Sequence, residues 1–189
     1  MQQADEPTLD AGTLFRRHAA FVAGFLVRLG IDRTELDDVV QEVFIIAHRR
    51  GGFAPGPARP TTWLADIAVR VAANKKRSHR RARVQADGET VDRKAIAHDE
   101  PAAALDARRR LDRVHRALET LDDDKRAVFV LYELDGHGCD EIAEGLGVPV
   151  GTIYSRLHAA RKKFTKAFER LSKTDAHVTS STVSAQVPR

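Results

Sequence analysis

Between Asp140 and Leu171 the chain reads DEIAEGLGVPVGTIYSRLHAARKKFTKAFERL, and Gly147 with Pro149 cuts it into two helical patterns. Asp140 is placed to cap the first, since its carboxylate accepts an otherwise unpaired backbone N–H. Ile142, Ala143 and Leu146 then recur at helical spacing. Gly147 stands where a helix end favours a residue that tolerates positive φ. Pro149 cannot lie inside that helix and pushes Val148 to an extended conformation. Thr152 is expected to start the second helix, with Ile153, Leu157, Ala160, Phe164 and Phe168 as its buried stripe. Its other face offers Tyr154, Ser155, Arg156, His158, Arg161 and Lys162, donors suited to phosphates and base edges. A short helix, a glycine turn and a longer basic helix make the helix-turn-helix plan. The plainer reading of the same residues is an αα-hairpin with a solvated charged face.

The chain has 189 residues, enough for one domain or two small ones. Net charge is only +4, but the pI is about 9.5. That suits a nucleic-acid partner without requiring one. A single Cys excludes an internal disulfide, so packing must hold the fold and a reducing compartment is expected. The polar, acidic start MQQADEPTLD does not read as a signal peptide. No apolar run approaches the ~18 residues that read as a membrane span. The expectation is a soluble, cytoplasmic protein with no direct membrane insertion.

Upstream, Leu14, His18, Phe21, Val22, Phe25, Leu26 and Leu29 fit one helical face closed by Gly30. A second helix is expected from near Thr34, with Leu36, Val39, Val40, Val43, Phe44 and Ala47 inside and Asp37, Asp38, Gln41 and Glu42 outside. Gly51 to Thr62 reads as a loop by its Gly and Pro content. A third helix follows from Trp63, with Leu64, Ile67, Ala68, Val71 and Ala72 as core. Its second half carries Arg70, Lys75, Lys76, Arg77, Arg80, Arg81 and Arg83, with no acid from Val69 to Gln85. Like charges so crowded repel, and a polyanion is their natural partner.

From about Val84 to Ala104 no apolar stripe persists, which predicts a flexible linker. Leu105, Leu111, Val114, Leu118 and Leu121 suggest another helix, and Asp122–Asp124 caps a further one holding Ala127, Val128, Val130, Leu131 and Leu134. The Ser/Thr-rich end from Lys173 is expected to be disordered. With no strand-like alternation, the predicted fold is all-α. It comprises two small helical domains, 10–83 and 105–172, a linker over 84–104 and a tail over 173–189.

Three stretches in order carry a resemblance: DDVVQEVFIIAHRR, TTWLADIAVRVAANKKRSHRR and DEIAEGLGVPVGTIYSRLHAARKKF. The chain resembles the bacterial sigma-70 family, specifically the small extracytoplasmic-function (ECF) group that keeps only the second and fourth conserved regions. The resemblance spans about Leu14 to Leu171 apart from the linker.

It implies a transcription initiation factor that contributes no catalysis and needs no cofactor. Its partners would be core RNA polymerase, through the β′ and β subunits, and promoter DNA. In this family a D-x-x-Q-E face docks on a coiled coil of β′, and Asp38, Gln41 and Glu42 hold those positions on one helix face. The Trp63 helix looks like the part that reads and opens the −10 element. There Phe53 and Trp63 would stack or wedge and Asn74 would bond a base. Lys75, Lys76, Arg77, Arg80 and Arg81 would hold phosphates. The second helix of the helix-turn-helix would read the −35 element through Thr152, Tyr154, Ser155, Arg156, His158, Arg161 and Lys162. The family often carries a basic residue where Tyr154 stands. Members are commonly restrained by an anti-sigma protein, but no residue here identifies one.

Two other readings stand beside this. A helix-turn-helix regulator binding an operator alone would leave the acidic face and the Trp63 helix without a role. A metal-dependent enzyme would use Asp37, Asp38 and Glu42, yet no second acidic motif accompanies them. His137 and Cys139 have no further Cys to complete a zinc site, and Cys139 has no recognisable base.

Overall fold

The computed structural model describes residues 8–85 and 102–183, with side chains placed over 8–82 and 107–174. Seven α-helices run in order among them: α1 (Ala11–Arg28), α2 (Leu36–Arg49), α3 (Pro60–Gln85), α4 (Ala102–Glu119), α5 (Asp123–Phe129), α6 (Cys139–Leu146) and α7 (Val150–Val183). A short π-helical segment, Val130–Leu134, continues α5. The described residues hold no strand, only an isolated bridge in which Leu9 and Phe53 exchange two backbone bonds of 2.9 Å.

Helices α1, α2 and α3 pack as one bundle, and α4 to α7 as a second. Their apolar stripes face inward as the spacing predicts: Leu14, Val22, Phe25 and Leu26 from α1, Val39, Val43 and Ala47 from α2, Leu64, Ile67 and Ala68 from α3. In the second bundle Val128, Ile142, Ile153 and Leu157 are buried, and the Phe129 and Phe164 rings meet at 4.6 Å. A small satellite of Ala117, Ala167 and Leu171 pins α4 on α7. The main core is continuous across both bundles, because α3 lies against α5 and α6.

Several boundaries differ from the sequence expectation, each for a local reason. α2 starts at Leu36 because Asp32 holds Thr34 in a turn, accepting from its N–H at 3.0 Å and its hydroxyl at 2.9 Å. α3 starts at Pro60 rather than near Trp63, since proline suits a first helical position and lacks the N–H that would go unpaired. Asp122 caps α5 as expected, accepting from the Lys125 N–H at 3.0 Å. α6 starts at Cys139, so Asp140 sits in its first turn and Gly138 is the cap residue. The Glu141 carboxylate reaches back to the Gly138 N–H at 3.3 Å. α7 starts at Val150, two residues before Thr152.

α3 extends to Gln85 and α4 begins at Ala102, which trims the expected linker; its remainder, 86–101, lies outside the described residues. The expected disordered tail is helical up to Val183. Once nucleated, a helix gains a bond with each added residue, and no Gly or Pro interrupts the chain from Thr152 to Val187. Residues 184–189 lie outside the described residues. Leu111, expected in the core of α4, is 62% exposed. The contrast predicts that Leu26→Ala lowers stability by about 2–5 kcal/mol while Leu111→Ala changes it by less than about 0.5 kcal/mol, read from urea unfolding midpoints.

Candidate nucleic-acid interface

The turn between α6 and α7 is built by Gly147, whose φ of 63° is the left-handed geometry a side chain resists. There the Val148 N–H bonds the Ala143 carbonyl at 3.0 Å and the Gly147 N–H the Glu144 carbonyl at 3.3 Å, closing α6. Pro149 then precedes α7, and its carbonyl accepts from the Thr152 N–H at 2.8 Å. At about 100° per residue, the stripe Ile153, Leu157, Ala160 puts Ser155, His158 and Lys162 directly opposite, in solvent. Tyr154 and Arg161 lie on one flank and half-buried Arg156 on the other, while Thr152 is half-buried.

Both arginines of this face already hold a carboxylate. Arg156 Nη2 lies 2.5 Å from Asp124 Oδ2. Arg161 Nε lies 2.6 Å from Glu133 Oε1, with its guanidinium 5.1 Å over the Tyr132 ring. The Glu133 bond pushes the Arg161 pKa further up. A guanidinium carries five N–H donors, so these pairs orient each side chain and leave donors for a phosphate or a base. Sequence reasoning missed Asp124, Glu133 and Tyr132 as the groups that orient this face, because they come from α5 and the π segment.

On α3 the structure sorts the expected residues into three kinds. Phe53 is 7% exposed and packs edge-on against half-buried Trp63 at 5.8 Å, so it is a core aromatic and offers no stacking face. Lys75 and Lys76 are half-buried and paired. Lys75 Nζ lies 3.0 Å from Glu35 Oε1, which also takes His79 Nε2 at 2.9 Å. Lys76 Nζ lies 2.5 Å from Asp123 Oδ1. Burial lowers the Lys76 pKa, opposed by its bond to Asp123. Arg77, Arg80, Arg81 and Asn74 are exposed, and Arg77 donates to Asn74 Oδ1 at 3.1 Å. Lys75, Lys76, His79 and Arg80 border a cleft of about 410 Å³ whose acidic members are Asp32 and Glu35.

On α2, Asp38, Gln41 and Glu42 are all exposed on one face, as their spacing requires. Ile45, one turn on, is 42% exposed, a neighbour that the sequence stripe did not single out. Elsewhere burial pushes the Cys139 thiol up, away from the thiolate a nucleophile needs. Among the described residues no three His, Cys, Asp or Glu side chains gather as a metal site. Among them, too, no helix is long and apolar enough to cross a membrane.

Comparison with known proteins agrees with this arrangement. Residues 14–82 match the family model for Sigma-70 region 2, and residues 111–164 the model for Sigma-70 region 4. The chain is 30% identical over 178 residues to the RNA polymerase sigma-H factor of Pseudomonas aeruginosa, covering 90% of this chain and 91% of that one. It is 33% identical over 146 residues to the ECF RNA polymerase sigma-E factor of Escherichia coli K12, covering 72% and 75%. Among solved structures it resembles the sigma factor RpoE in complex with the anti-sigma factor NepR from Bartonella quintana. That match has a TM-score of 0.64 and 24% identity over 82% of this chain and 94% of that one. It also resembles CnrH in complex with the cytosolic domain of CnrY, with a TM-score of 0.57 and 26% identity over 85% and 88%.

The exposed cation opposite the α7 stripe gives a direct test. Lys162→Ala should weaken duplex-DNA binding about equally for all sequences. It should also flatten the slope of log affinity against log salt by about 0.9, the share of one phosphate contact, in anisotropy titrations.

Proposed function

The chain belongs to the extracytoplasmic-function group of the sigma-70 family, and from that premise we propose how its surfaces divide the work. The protein is a sigma factor: it binds core RNA polymerase and directs initiation at promoters through their −10 and −35 elements. The exposed α2 face of Asp38, Gln41 and Glu42 holds the polymerase. The basic half of α3, with Asn74, Arg77, Arg80 and Arg81 outward, takes the −10 strand. Ser155, His158 and Lys162 on α7, flanked by Arg156 and Arg161, take the −35 duplex. Residues 10–83 and 105–172 act as the two reading units, in the cytoplasm. The protein adds affinity and position, and the bond-making chemistry is the polymerase's.

The observation that carries this reading is the α2 face. Two carboxylates and an amide stand exposed beside Ile45, with no hydrogen bond or ion pair to another described side chain. Asp38 in the first turn gains from the helix dipole, but Gln41 and Glu42 lie beyond that turn; the face complements a basic partner and leaves an apolar residue to be buried with it. A regulator that bound an operator alone would have no use for that face.

The test is binding to core RNA polymerase. Gln41→Ala combined with Glu42→Lys should weaken it at least about 30-fold, the scale of a central interface contact. Circular dichroism and the unfolding midpoint should stay unchanged, since both side chains are exposed. If folded wild type does not bind core polymerase, the assignment fails and an operator for the protein alone becomes the object of search.

A further inference from the structure

The half of α7 beyond the family match has a surface of its own. The match to Sigma-70 region 4 ends at residue 164, while α7 runs on to Val183. Along this stretch the inner side of the helix is fixed. Ala167 and Leu171 are buried with Ala117 of α4, and the Phe164 and Phe168 rings stack at 5.8 Å. The outer side carries Lys166, Arg170 and Lys173, all exposed. At about 100° per residue, these three fall within about 80° of Lys162 around the helix. Lys173 stands about five turns beyond Ser155 on the same line, so the two mark one ridge roughly 27 Å long at 1.5 Å per residue.

We propose that the C-terminal half of α7 is a second DNA surface, which holds phosphates of the duplex flanking the −35 element without reading its bases. The inference rests on the reading of α7 as the −35 helix. Two observations carry it. The first is continuity. In a helix-turn-helix the N-terminal residues of the second helix reach the base edges. A major groove about 12 Å wide winds around the duplex, and a straight rod of about 27 Å cannot follow it. The far half of the ridge must therefore pass over the phosphate backbone, and that half bears Lys166, Arg170 and Lys173. Held on α4, it keeps a fixed direction.

The second is charge. Lys162, Lys166 and Arg170 follow one another at four-residue spacing, and Lys173 comes three residues later. Like charges three or four apart weaken a helix. Glu169 is the single acid between Arg161 and Thr174. Among the described residues Lys166, Arg170 and Lys173 have no carboxylate at ion-pair distance, in contrast to Arg156 and Arg161 nearer the turn. Nor do they gain from the helix dipole, which acts in the last turn, whereas α7 continues to Val183. A row of cations that the fold neither pairs nor rewards matches a polyanion with regularly spaced charges.

The test uses the full-length chain and duplexes of about 30 base pairs in two unrelated mixed sequences, read by anisotropy across a salt series. Lys166→Gln/Arg170→Gln/Lys173→Gln should flatten the slope of log affinity against log salt by about 2.7, at 0.9 per phosphate contact. Wild type should then lose about 40-fold more affinity than this variant between about 50 and 200 mM salt. Both sequences should respond alike, because phosphate contacts carry no sequence information. The far-ultraviolet dichroism should stay unchanged, since glutamine is a good helix former. Arg17→Gln/Arg33→Gln/Arg49→Gln removes the same charge from exposed positions of the first bundle and should leave the slope within about 0.5 of wild type. A slope within that margin for the α7 variant overturns the proposal, and an acidic protein partner takes the place of DNA on this ridge. Equal flattening by the two triple variants overturns it too, because net charge then accounts for the effect. So does a failure of wild type to bind either duplex at about 50 mM salt. Lys162→Ala separates this inference from the reading it rests on. Flattening by Lys162→Ala with none from the α7 triple variant keeps the −35 assignment and sinks the second surface. The reverse result keeps the second surface and strikes the −35 assignment.

Discussion

The fold depends on one guanidinium reaching across it. Arg126 Nη1 donates to the carbonyl of Leu29, at the C-terminal end of α1. The last carbonyls of a helix have no partner within it, and a cation there also meets the negative end of the helix dipole. Gly30 makes room: its φ of 90° turns the chain, and a Cβ there would lie 2.8 Å from that same Nη1. One arginine thus closes the first helix of one bundle from the second helix of the other. Its own position is set by the Asp122 cap that starts α5 and by a further bond to the Leu121 carbonyl at 3.3 Å.

The same logic of borrowed countercharge runs over the whole basic surface. Read along the chain, α3 has a long acid-free run that demands a polyanion. In space, Glu35 supplies Lys75 and His79, and Asp123 supplies Lys76. On α7, Asp124 and Glu133 do so for Arg156 and Arg161. Exposed pairs of this kind contribute only about 0–1 kcal/mol each. They orient the cations and are weak enough to give way to a denser array of negative charge. Among the described residues, the cations left outward without a carboxylate, Arg77, Arg80 and Lys162 among them, give the surface its positive potential.

This explains which features could be read from sequence. The helices, their apolar stripes and the α6–α7 turn rest on local periodicity and on Gly147 and Pro149, so they were legible. The exposed α2 face followed from three-and-four spacing alone. Local signals were also available at two places where the expectation slipped: Pro60 as a first helical residue, and Asp32 two residues before Thr34. The burial of Phe53 was not legible, because it depends on Leu9 pairing with it across α1 and α2. Nor was the packing of α6 on α3. Gly145 looks, in sequence, like a weak residue inside a helix, and only Thr62 in space gives its missing side chain a reason.

The contact between the two bundles uses a cation of the kind that a polyanion would take. Lys76 cannot hold Asp123 and a phosphate with equal strength, because its half-buried ammonium has few donors free. A duplex presents a phosphate about every 1.7 Å of axis, counting both strands, so a strand entering beside α3 brings many competitors to one aspartate. Salt weakens both arrangements, but unequally: a polyanion gains from releasing its condensed counterions, whereas an internal pair has none to release. The Lys76–Asp123 pair is then weakest at low ionic strength in the presence of nucleic acid, where phosphates compete best.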